Sequence, residues 1–219
     1  MKRVERHIAK LETKIAEMFK GDVSGHSSDH LRRALNYALE LQKHEGGDIE
    51  VIAVATFIHD VHRLMENEKG KYVQPVESLP KIKELIADLE LTDKQQDHIC
   101  HCIEFHEQYN FGNNPVTVTD IESLIVQDAD NLDAVGVIAI TRCIQYTLKN
   151  GGVLYDPSYP LYHDDDWNDT KFDKTVVHHI HNKLIRLGTH MNTKTALEIA
   201  KPKVKIMQDF IDMFMQEWK

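Results

Sequence analysis

A histidine and an aspartate stand side by side in FIHDVHRL, as His59 and Asp60, directly after the apolar run VIAVATFI. Neither side chain suits an apolar interior without a partner, so the pair implies a buried polar contact or a site to which a helix delivers it. Upstream, His26 and His30 are four residues apart, one helical turn, and Arg33 follows His30 by three on nearly the same face. Downstream, VQDADNLDAVG carries Asp128, Asp130 and Asp133 in an apolar setting. Each of these residues alone would ordinarily be capped, packed or solvated. Jointly, two imidazoles and two carboxylates from three helices are what a Mn2+, Fe2+, Co2+, Ni2+ or Zn2+ ion accepts, with Mg2+ also allowed. Asp128 and Asp130 cannot both face one ion, because positions i and i+2 point to opposite sides of a helix. Hydrophobic periodicity does not choose between them, since both faces of that stretch look buried.

The elements that must position these groups are helical. Residues 4–19 carry Val4, Ile8, Leu11, Ile15 and Met18 at amphipathic spacing. Glycines at 21 and 25 precede a helix over about 28–44, and Gly46-Gly47-Asp48 ends it, with Asp48 placed to cap a helix over about 49–65. Further helices fit 76–89 and 93–107, the latter starting near Thr92 or Asp93. A loop over 111–119 leads to Thr119 or Asp120 as the cap of one long helix over 121–149, stopped by Asn150-Gly151-Gly152. The Tyr-, Pro-, Asp- and Asn-rich stretch 153–170 reads as a surface excursion, in which His163-Asp164-Asp165-Asp166 is a solvated acidic loop or a lid. Helices over 172–187 and 193–217 complete one all-α domain. The stripe Ile206, Phe210, Met213, Phe214 and Trp218 is read as core or homodimer contact.

Composition bounds the function. With 42% hydrophobic and 28% charged residues, the 219-residue chain is ordinary for a soluble globular protein. Its formal charge of −9 argues against a general electrostatic grip on nucleic acid. No apolar run approaches the ~20 residues of a membrane helix, so no membrane partner is expected. The start, MKRVERHIAKLETKIAEMF, is too charged for a secretory signal. Three cysteines, Cys100, Cys102 and Cys143, form no disulfide framework, and the expected setting is a reducing cytoplasm. Cys100 and Cys102 diverge by roughly 200° on a helix and are read as ordinary helix-face cysteines.

The order of His30, then His59-Asp60, then an aspartate in an AD-x-L helix resembles the HD-domain phosphohydrolase superfamily. HSSDHLRRA is similar to that family's H-x-x-x-H-x-x-R-V opening, with Ala34 where Val is usual. VQDADNLDAVGVIAITR and HHIHNKLIRLGTHMNTKTALEIA resemble segments of a small bacterial HD-domain group that includes nucleotide pyrophosphohydrolases. The resemblance spans about residues 22–218. It implies a single HD-type helical bundle, with an N-terminal helix over 1–21, a metal-binding core over 22–149, and C-terminal helices and a surface loop over 150–219. It further implies His30, His59, Asp60 and Asp130 as ligands of one divalent transition-metal ion. Asp128 would then support a ligand histidine, and His26 is the runner-up ligand.

The activity implied is metal-dependent hydrolysis of a phosphate ester or anhydride, with a nucleotide as the small-molecule substrate. A metal there lowers the pKa of water and polarises a phosphoryl oxygen. Asp60 would ligate the ion and orient the attacking water. Arg33, Arg63, His179 and Lys183 are the candidates for phosphate charge, and His106 for general acid. His98 and His101 bring to mind a second metal, but their spacing to His106 does not reproduce that arrangement. Two other readings stand beside this one: an HD-type di-iron oxygenase, and a regulatory module whose metal is structural.

Overall fold

The computed structural model describes residues 2–20, 28–109, 111, 117–159, 161 and 174–218. Apart from one isolated parallel bridge between Val153 and Thr175, the described residues form helices, turns and loops. None of these helices is long and apolar enough to cross a membrane. The chain divides into two compact units, Met1–Glu107 with Thr117–Asp130, and Gln108–Val116 with Asn131–Lys219.

The first unit is built around α3 (Ile49–Ile58). Every residue of α3 from Val51 to Ile58 is buried, as expected of a helix that is apolar on all sides. Asp48 starts it by accepting from the backbone N–H of Glu50 at 2.9 Å. Around it pack α1 (Lys2–Met18), α2 (Ser28–Glu45) and α6 (Asp93–Phe105). Leu11, Ile15, Leu31, Phe57, Ile99 and Ile103 are all fully enclosed. At about 1.5–3 kcal/mol for each buried side chain of this kind, the core fixes α3 firmly.

The helix expected over 49–65 is broken at the His-Asp pair. Asp60 leaves helical geometry at φ −84°, ψ 11°, and a new helix, α4 (Val61–Lys69), begins after it. Gly70, at φ 64°, ends α4 in the left-handed conformation. A short 3-10 turn (Pro75–Ser78) leads into α5 (Leu79–Ile86). Thr92 caps α6, and its capping box with Gln95 is complete. The long helix expected over 121–149 is two helices, α7 (Ile121–Asp133) and α8 (Val137–Lys149). Gly136 separates them at φ 97°, ψ −161°, a conformation essentially reserved for glycine. Of the two expected caps of α7, Asp120 is the one that accepts from the Ser123 N–H, at 3.0 Å.

In the second unit, α8 packs with α9 (Val176–His179) and α11 (Lys194–Glu217), and α10 (Ile185–Thr189) packs on α11. A π turn, Ile180–Leu184, joins α9 to α10. The buried face of α11 is Ala196, Ala200, Val204, Met207 and Ile211. In the stripe read as core or homodimer contact, Ile206, Met213 and Trp218 are exposed and so are not core. The acidic loop over 163–166 lies outside the described residues.

Candidate metal centre

Three helices deliver four donor atoms to one place in the first unit. His30 sits in the first turn of α2, on the same buried face as Ala34 and Ala38. His59 and Asp60 come from the break between α3 and α4, and Asp130 from α7. His30 Nε2 is 3.3 Å from His59 Nε2, from Asp60 Oδ2 and from Asp130 Oδ1. His59 Nε2 is 3.6 Å from each of the same two oxygens. Asp130 is therefore the carboxylate of α7 that meets both imidazoles, which spacing alone left undecided. Asp128 is fully buried in the same helix. His26 lies outside the described residues.

The imidazoles are held in one tautomer by backbone carbonyls. His59 Nδ1 is 2.7 Å from Thr56 O, His62 Nδ1 is 3.2 Å from His59 O, and His106 Nδ1 is 2.6 Å from Ile103 O. A carbonyl only accepts, so each of these Nδ1 atoms carries a proton, and in the neutral ring Nε2 is left with the lone pair. This is the outer hydrogen bond that ordinarily orients a metal-bound histidine. Burial opposes charge on His59, yet Asp60 and Asp130 raise its pKa. Burial likewise opposes the Asp130 carboxylate, but His59 and His30 hold it well below the usual range. The cluster is a concentration of acceptors whose field favours a cation. Its donor set fits a divalent ion.

His106 follows the last turn of α6 and is buried against His59, ring centroids 4.9 Å apart. Burial, and then the neighbouring His59, lower its pKa to about 4. Its Nε2 is enclosed with no hydrogen-bond partner. The ring expected as a general acid is thus enclosed beside His59. Arg63 is a cation at this edge of the cluster. It bonds Glu66 at 3.0 and 3.1 Å, pairs closely with Glu107, and lies 3.6 Å from Asp60 Oδ1. Burial disfavours its charge, but these carboxylates more than compensate and raise its pKa. Three carboxylates thus surround Arg63: Asp60, Glu66 and Glu107.

Two residues of this arrangement escaped the sequence reading. His62 is fully buried, with Nε2 3.5 Å from Glu107 Oε1. Glu107 also accepts from Tyr72 Oη at 2.7 Å. The signal for His62 was its i, i+3 relation to His59; Glu107 had none beyond adjacency to His106. Arg33 is half-buried, one turn after His30. His179 and Lys183 belong to the second unit, where Lys183 Nζ lies 5.4 Å from the centroid of the Tyr109 ring, a cation–π contact.

A helical scaffold that brings a lone histidine, a His-Asp pair and a distant aspartate to one point defines a metal-hydrolase class, and the HD-domain family matches residues 28–135. The chain belongs to the HD-domain superfamily of metal-dependent phosphohydrolases. An HD-superfamily hydrolase from Bacillus thuringiensis is 30% identical, with 98% of each chain covered and a TM-score of 0.72. A Lactobacillus plantarum protein structure is also 30% identical, covering 98% of this chain and 97% of that one, at a TM-score of 0.79. Bacillus subtilis YpgQ is 24% identical over 204 residues, 92% of this chain and 88% of its own. Its structure in complex with ADP aligns at a TM-score of 0.72, covering 98% of this chain and 96% of that one.

Proposed function

We propose that the chain hydrolyses a phosphate ester or anhydride of a nucleotide, using one divalent transition-metal ion held by His30, His59, Asp60 and Asp130. What carries the reading is the convergence of two imidazole nitrogens, 3.3 Å apart, with two carboxylate oxygens that each lie 3.3–3.6 Å from both of them. An ion so held supplies Lewis acidity to a phosphoryl oxygen and acidity to water. Asp130 is 25% exposed while His30, His59 and Asp60 are buried, which favours a site open to solvent over a closed structural one. The complex of YpgQ with ADP supports a nucleotide as the phosphorylated ligand.

The chain's own residues have distinct tasks in this reading. Asp60 orients the attacking water, and Arg63 holds Asp60. Arg33 offsets the charge that grows on the phosphoryl oxygens as the new P–O bond forms and the bond to the leaving group breaks. His106, a neutral acceptor, is given no acid role. The test is the metal-loaded protein against a panel of nucleoside mono-, di- and triphosphates, with phosphate and pyrophosphate both detected. Arg33→Ala should keep metal and fold but lose roughly a hundredfold or more in turnover, the scale of removing one donor to transition-state charge. Lys183→Ala should show a smaller effect. No hydrolysis by a fully metal-loaded protein would shift the reading to a regulatory module. Oxygen consumption with two irons per chain would shift it to an oxygenase.

A further inference from the structure

A second group of metal-type donors lies on α6 and at the start of α7. One ring nitrogen of His98, Sγ of Cys102 and a carboxylate oxygen of Asp120 lie within 4.8 Å of one another. His98 and Cys102 are four apart on α6, hence on one face of it. His98 Nε2 is 2.8 Å and His101 Nε2 3.3 Å from the two oxygens of Asp120. Glu122 Oε2 is 3.9 Å from His98 Nε2. The thiol is fully buried, while His98 and Asp120 are about a quarter exposed. An ion therefore has a way in and a sulfur at the base.

An ion pair alone would account for His98 and Asp120. Apolar packing buries the Cys102 side chain, but neither effect accounts for its sulfur lying beside His98 and Asp120 or for the Ser123 hydroxyl that donates to it at 3.5 Å. A hydrogen bond of this kind is what supports a ligating thiolate from outside the coordination sphere. Asp120 is anionic at neutral pH: burial opposes its charge, but His98 and Ser123 bring its pKa down to about 2. One imidazole, one thiol and one carboxylate, with His101, Glu122 or water for the fourth place, suit a tetrahedral ion of the zinc class. Along α6, Cys102 and His98 lie about 6 and 12 Å from His106, and along α7 Asp120 lies about 15 Å from Asp130, at ~1.5 Å per residue.

We infer that His98, Cys102 and Asp120 form a second, zinc-class site that ties the start of α7 to α6, separate from the His30–His59 cluster. Binding exchanges the thiol proton of Cys102 for the metal–sulfur bond and releases that proton to water. The ion pins the α7 that carries Asp130 and the α6 that leads to His106. The inference is independent of the proposed hydrolysis, because its readout is sulfur ligation.

The test uses the full chain loaded with Co2+ in place of zinc. Cys102 is the one thiol within ligand distance of these donors among the described residues, and the His30–His59 cluster has none. A thiolate-to-cobalt charge-transfer absorption should appear in the wild type, persist in His59→Ala and vanish in Cys102→Ser. Zinc content should fall by about one equivalent per chain in Cys102→Ser, and His98→Gln should repeat the loss if the serine variant folds poorly. Absence of the charge-transfer band in cobalt-loaded wild type overturns the inference. So does unchanged zinc content in His98→Gln.

Discussion

Asp130→Asn is the substitution that most directly tests the main site. The amide keeps the shape of the side chain but removes the charge that faces both imidazoles, at 3.3 Å from His30 and 3.6 Å from His59. An ion bound only by the folded state adds about 2.7 kcal/mol of stability at a free concentration of ~100 Kd. If the substitution weakens binding about a hundredfold, the same ion concentration adds only about 0.4 kcal/mol. The difference, about 2.3 kcal/mol, corresponds to roughly 5–9 °C in melting temperature for a chain of this size. The substitution also disturbs the metal-free protein, because Asp130 is held in its charged form by His59 and His30. The informative quantity is therefore the metal-induced shift, each variant with ion minus the same variant with chelator. Thermal denaturation with and without Mn2+ or Zn2+ measures it. Asp128→Asn serves as the comparison and should lose less. An equal metal-induced shift in wild type and Asp130→Asn would refute the ligand set, and a larger loss in Asp128→Asn would move the ligand to Asp128.

Two further expectations concern stability away from that site. His7 is 2% exposed, and neither ring nitrogen has a hydrogen-bond partner; burial lowers its pKa, with Glu50 opposing. The unfolded chain then binds the proton first, so His7's contribution is intact above about pH 6.5 and shrinks as pH falls towards the lowered folded value. His7→Leu should stabilise the protein by about 1 kcal/mol at neutral pH, and the gain should widen between pH 7 and 5.5 in denaturant titrations. A gain that narrows on acidification would contradict this. Gly136→Ala should cost about 1–3 kcal/mol, because φ 97° strains any L side chain and the added carbon would meet Lys203 Cε at 3.0 Å. A melting temperature within a degree of wild type would show that the backbone relaxes there instead.

Much of this was legible in the chain. Asp48 and Thr92 cap the helices that the spacing assigned to them, and α1, α2 and α11 end within a few residues of where their apolar periodicity stops. The two misread helices share a cause. Apolar periodicity runs unbroken across both His59-Asp60 and Val135-Gly136, while each break is made by backbone dihedrals that periodicity does not report. The choice between Asp128 and Asp130 was out of reach for a related reason: both are set in buried sequence, and only the path of α7 decides which oxygen meets His30. For the cysteines, the proximity of Cys100 to Cys102 drew attention to a pair that diverges on a helix. The relation that α6 brings to one face is His98 with Cys102.

The break after α3 also explains why Asp60 is suited to its place. In a continuous helix its carboxylate would share the fate of its neighbours in a dry core, where a lone charge is costly. Leaving the helix there frees Asp60 to divide its two oxygens. Oδ2 lies 3.3 Å from His30 and 3.6 Å from His59, while Oδ1 lies 3.6 Å from Arg63, in the first turn of α4. Arg63 is itself held by Glu66 and Glu107, and Glu107 by Tyr72. Asp60 thus faces a guanidinium that is itself anchored from α4 and the end of α6, while apolar packing surrounds the helix that carries His59. An anchored cation beside Asp60 and a packed helix behind His59 are the kind of surroundings a metal site needs from its scaffold.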